Sequence, residues 1–201
     1  MIARATTAAA ALCALALAGG PLAGQEAESA ETSAGQAEMT AAYERAGTPG
    51  TMHEVLARTV GTWSAEVKMW MEPGGEPTVA HTTSVIEPVM GGRFVRETLE
   101  GEAFGAPFRG VGLMGYNNVT GKAQGVWYDN HSTALYRYEG TLSEDGTLEL
   151  TSGRHDPVSG EWIEARSVRR MEGPDRMVDT AWEKRGGEMV RTMEIVYTRQ
   201  R

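Results

Sequence analysis

Trp127, Asp129 and His131 lie two residues apart, so along an extended strand an indole, a carboxylate and an imidazole project from one face. That trio suits hydrogen bonding to a ligand, or proton transfer between acid and base partners held within reach of one another. His81 sits between Val79, Thr83 and Val85, on an alternation where an inward imidazole would ligate haem iron or bond a ligand. The plainer alternative makes Asp129 and His131 a pair that fixes a loop at a strand end, and His81 an ordinary sheet histidine. Met114 and Tyr116 follow Gly110 and Gly112 on another face, whose missing side chains leave room for a bend, a second backbone or a bound molecule. Trp127, Asp129, His131, His81, Met114 and Tyr116 are therefore the expected ligand-binding side chains.

Other chemistries fail on context. Gly110-Val111-Gly112-Leu113-Met114-Gly115 satisfies the dinucleotide fingerprint by letter, but that motif needs a helix after it. Tyr116 to Gly121 makes a turn instead, so the glycines serve a strand. His53-Glu54 begins like a zinc-protease helix, yet Ala57 stands where the second ligand belongs. His53 is then expected to be a helix-cap residue. No Gly-x-Ser-x-Gly elbow occurs. The residues call for no cofactor, and no complete catalytic constellation is present.

These residues need elements to hold them. From Gly61 onward the chain reads as short alternating runs separated by turn signals every ten residues or so. The runs are Thr62–Met71, Thr78–Val89, Arg93–Gly101, Phe108–Tyr116, Lys122–Asn130, Thr133–Leu142, Thr147–Ser152, Glu161–Met171, Arg176–Lys184 and Glu188–Arg199. Short loops between them predict an all-β, up-and-down antiparallel barrel of about ten strands. The first run places Trp63, Ala65, Val67 and Met69 together, and the last places Met189, Met193, Ile195 and Tyr197 together. Eleven methionines against three phenylalanines suit the filling of irregular interior space. Ahead of the barrel, Thr51 and Glu54 fit a capping box, with Met52, Val55, Leu56 and Val60 on one face, predicting a short helix that plugs one barrel end.

Residues 1–24 read as a secretory signal peptide. Arg4 gives the charged start, Ala8 to Ala18 an apolar stretch too short to span a bilayer, and Gly19 to Gly24 small residues for cleavage near Ala23 or Gly24. A periplasmic or secreted location follows as an expectation. The single cysteine, Cys13, lies inside this segment behind Leu12, which does not suit a lipid-anchor signal, so the mature chain has no thiol for disulfides or thiolate chemistry. Removing Arg4 takes the formal net charge from −8 to −9. That balance argues against nucleic acid or an anionic membrane as partner. Residues 25–50 hold few large apolar side chains and read as a flexible linker, with 51–201 as the barrel domain.

Taken in order, His53-x-x-Leu56, Gly61-x-Trp63, Gly91-Gly92-Arg93-Phe94, Gly110-x-Gly112-x-x-Gly115-Tyr116-Asn117-Asn118-x-Thr120-Gly121-Lys122 and Trp127-x-Asp129 resemble domain-of-unknown-function family 1579. The resemblance covers about Met52 to Arg199 and implies a lipocalin-like (calycin) barrel with no established activity. It also implies that Trp63 sits at the closed end beneath an arginine of the last strand, Arg199, in a structural cation–π contact. The leading expectation is an exported, non-catalytic barrel that binds a small apolar molecule. Haem or metal binding through His81 or His131, acid–base work by Asp129 and His131, and an interaction module using the barrel's outside are the alternatives.

Overall fold

The computed structural model describes residues 23–201. Most of the predicted signal peptide, residues 1–24, lies outside the described residues. Helix α1, Ala23–Gly47, is rich in Ala, Glu and Gln, which favour helix, and carries no apolar stripe. The segment predicted as a linker thus contains a helix, though one with no apolar face of its own. Among the described residues, no helix is long and apolar enough to cross a membrane.

Helix α2 runs Thr51–Ala57 and buries His53, Val55 and Leu56. Its cap differs from the expectation. Gly50 is the cap residue, and its backbone N–H donates to Nδ1 of His53 at 3.0 Å. The imidazole does what Glu54 was expected to do, because it is buried against Tyr116 while Glu54 points outward.

Ten strands follow: β1 Gly61–Met69, β2 Thr78–Val89, β3 Phe94–Ala103, β4 Ala106–Asn117, β5 Lys122–Asp129, β6 Tyr136–Leu142, β7 Leu148–His155, β8 Trp162–Met171, β9 Arg176–Arg185 and β10 Glu188–Arg199. Each pairs antiparallel with the next, and β1 closes on β10, giving the up-and-down closed barrel that the turn spacing predicts. The dinucleotide-like glycines lie within β4, which turns directly into β5.

Alternation sorts the side chains. Trp63, Ala65 and Val67 of β1, Ala80, Thr82, Ser84 and Ile86 of β2, and Val95, Glu97 and Leu99 of β3 are buried. The parity of β10 breaks at a bulge between Arg191 and Met193. Thr192 and Met193 both line the interior in consequence, and Met189, expected to share the inner face with Met193 and Tyr197, is exposed.

The barrel closes on a clasp. Trp63 is fully buried, and Cζ of Arg199 lies 4.0 Å from its ring centroid. The guanidinium also donates to the carbonyls of Val60 at 2.6 Å, Arg58 at 3.0 Å and Pro174 at 2.8 Å. The indole N–H donates to the Thr59 carbonyl at 2.9 Å, and Tyr197 meets the ring edge-on at 6.5 Å. Gly61 has φ +145°, and a Cβ there would collide with the Arg199 guanidinium, so Gly-x-Trp is a steric requirement of this contact.

Candidate functional site

The strands enclose a cavity of about 400 Å³, toward the lower end of the roughly 300–1,000 Å³ usual for small-molecule sites. Its walls are mostly apolar: Val67, Met69, Val95, Leu99, Leu150 and Ile195 line it from four strands. The clasp and α2 fill one end. The opposite end, where the β3–β4 and β5–β6 loops lie, carries exposed Phe104 and His131 at the cavity's edge.

Four of the six predicted site residues, Trp127, Asp129, His131 and Met114, line this cavity. The Trp127 indole lies over Gly110 and Gly112, so the room that the glycines leave is taken by a side chain of the next strand. Its N–H donates to Oδ2 of Asp129 at 3.0 Å, while Oδ1 accepts the backbone N–H of His131 at 3.0 Å. The His131 ring packs instead on Phe108 at 5.2 Å and Phe104 at 6.4 Å. Asp129 therefore spends its acceptors on holding the indole and the loop, as the plainer alternative has it, and does not pair with the imidazole for proton transfer.

The other two lie elsewhere. Tyr116 is tucked under α2, its ring 6.1 Å from that of His53, and does not border the cavity. His81 is a correction. It is exposed on the outer face, paired across the strands with Glu66, because β2 turns Ala80, Thr82 and Ser84 inward. It is thus placed to hold nothing inside the barrel. Among the described residues, no group of three or more His, Cys, Asp or Glu side chains is placed to hold a metal ion.

Gly110→Ala is expected to push the Trp127 ring off the wall, because the added Cβ overlaps it, and to lower stability by about 1–3 kcal/mol. Urea unfolding measures this, and an unchanged midpoint would mean that the ring has space to yield.

Sequence reasoning missed the polar floor. Arg169 of β8 lies opposite Asp179 of β9 and donates from Nε to its Oδ2 at 3.1 Å, with Nη2 in ion-pair contact 3.0 Å from the same oxygen. Nη2 also reaches Oε2 of Glu97 at 3.1 Å and the Tyr197 hydroxyl at 3.3 Å. Ser84 donates to Oε1 of Glu97 at 2.8 Å. Oδ1 of Asp179 is enclosed and has no hydrogen-bond partner among the described residues. Burial pushes Asp179 above the usual carboxylate range, with Arg169 opposing and Glu97 adding to the rise. Burial works against the Arg169 charge too, but Glu97, Tyr197 and Asp179 outweigh it and keep the guanidinium firmly ionised. Burial, followed by the Glu97 charge, drives the Tyr197 phenol well up, so it stays protonated.

A second pair lies nearer the open end. Arg154 forks onto Glu183 at 2.8 and 3.2 Å, and Arg185 joins at 3.1 Å. Burial would raise Glu183, but these hydrogen bonds prevail and hold it below its ordinary range.

Two solved structures share this fold. The crystal structure of Rv2717c from M. tuberculosis is 17% identical and covers 77% of this chain and 100% of its own, with a TM-score of 0.55. The structure of the S-type phycobiliprotein lyase CPES from Guillardia theta is 17% identical and covers 76% of this chain and 94% of its own, with a TM-score of 0.50. At these identities the likeness shows a lipocalin-like barrel. No curated protein sequence matches the chain. The model of a family described as protein of unknown function (DUF1579) matches residues 48–199, and the chain belongs to that family.

Proposed function

We propose that the protein is an exported, non-catalytic carrier of a small, largely apolar molecule held inside the barrel. The cavity carries this reading: about 400 Å³ walled largely by apolar side chains, with polar clusters at its floor and toward its open end. A barrel evolved only as a rigid scaffold would fill that space with side chains, since empty apolar volume is destabilising. Export rests on the residues of the signal segment, Arg4 and the Ala8 to Ala18 stretch. The Asp129 carboxylate, already committed to Trp127 and His131, gives no support to acid–base chemistry at the mouth.

Ala181 borders the cavity, and Ala181→Trp is expected to fill it. An apolar fluorescent dye should light up with the wild type and lose at least about tenfold in affinity for the blocked variant. Equal dye binding by both proteins would place the dye outside the barrel and end the reading. Native mass spectrometry of protein purified from its own envelope should show a retained adduct that the variant lacks.

A further inference from the structure

We infer that the carried molecule ends in a neutral group that both donates and accepts a hydrogen bond, such as a hydroxyl or primary amide, seated between Arg169 and Asp179 on the cavity floor. The inference rests on the carrier reading and specifies its ligand.

The geometry of the floor supplies the reasons. Arg169 and Asp179 both line the cavity, with 21% and 13% of their side chains exposed, and they are neighbours across the β8–β9 pair. Arg169 uses Nε and Nη2 on Asp179, Glu97 and Tyr197. Among the described residues, its Nη1 makes no hydrogen bond, so two N–H donors of a charged group remain for an acceptor. Asp179 is the complement. Its Oδ1 has no donor among the described residues, and in the proposed complex it turns about χ2, a torsion with a broad well, to meet the ligand's donor. A spare donor and a spare acceptor on adjacent side chains suit a head group that carries both functions. Leaving either unmatched under an apolar chain would forfeit binding energy.

Charge decides against the two ionic heads. One guanidinium already serves two carboxylates, Glu97 and Asp179, with Ser84 and Tyr197 adding only neutral hydroxyls. A carboxylate ligand would bring a third negative group against Glu97 and Asp179, which share Arg169, while the other lining arginines, Arg154 and Arg166, are already paired with Glu183 and Glu149. An ammonium would face the open Nη1 edge of Arg169.

Displacement of the dye N-phenylnaphthylamine from the purified protein by four ten-carbon probes tests this. At neutral pH decanol and decanamide should compete at least about tenfold better than decanoate and decylammonium. Asp179→Asn keeps the shape and an oxygen for Arg169 while removing one negative charge. It should raise decanoate affinity about tenfold and move decanol by less than about threefold. If the dye binds but decanoate or decylammonium matches decanol in the wild type, the head-group inference is overturned and the carrier reading survives. If neither dye nor probe binds, the carrier reading itself fails. Should the variant not fold, the wild-type ranking alone decides.

Discussion

Arg169→Met should lower stability by about 3–5 kcal/mol, the cost of leaving buried charge without its partner. The methionine fills similar volume, so the loss is electrostatic. Glu97 is 7% exposed and keeps only the Ser84 hydroxyl and its neighbour Tyr197, while Asp179 loses its hydrogen bond and ion pair with Arg169. Adding Glu97→Gln and Asp179→Asn removes both stranded charges, and the triple variant should regain most of the lost stability. Urea unfolding followed by circular dichroism reads each protein. A single variant as stable as the wild type would show that water or neighbouring groups already neutralise the floor. A triple variant no better than the single one would show that Arg169 acts through packing.

Trp63→Ala should cost a comparable amount, about 3–5 kcal/mol, because it empties a fully buried indole site next to Tyr197 and Met177. Arg199→Ala removes three bonds to backbone carbonyls as well as the cation over the ring. The informative quantity is the coupling between the two. A double-mutant cycle should give about 0.5–2 kcal/mol for the stacked pair. Strict additivity would mean that arginine and indole stabilise the closed end independently.

The architecture was legible because each strand is short, alternates and ends in a turn residue, so local signals agree with the global fold. The clasp was legible through the family resemblance, which points to Trp63 and Arg199. The floor was not, for reasons that differ by residue. In β9, Met177, Asp179 and Ala181 alternate with Val178, Thr180 and Trp182, and neither set is plainly the apolar one. Only the register to Tyr197 decides it. Glu97 was within reach, since it stands between Val95 and Leu99 and breaks an otherwise apolar inner face. His81 went the other way because Val79 and Val85 flank it on what proves to be the outer face, each of them substantially exposed. Apolar neighbours alone do not identify the inside when the opposite face offers Ala80, Thr82 and Ser84, which are small rather than greasy. The bulge that turns Met189 outward leaves no local mark in Arg191-Thr192-Met193.

The pairing of β1 with β10 has a kinetic side. Val60 and Arg199, joined by a hydrogen bond at the clasp, lie 139 residues apart along the chain. Every other strand finds its neighbours nearby in sequence, so nine hairpins can form early. The seam must wait for the tenth strand to arrive, at the full entropic cost of joining distant segments. That one distant pairing slows folding relative to the local hairpins. Until the seam closes, the outer ladders of β1 and β10 stand open, ready to recruit a strand from another chain. The seam that leaves the finished barrel without an edge therefore also sets how long each new molecule is vulnerable to aggregation.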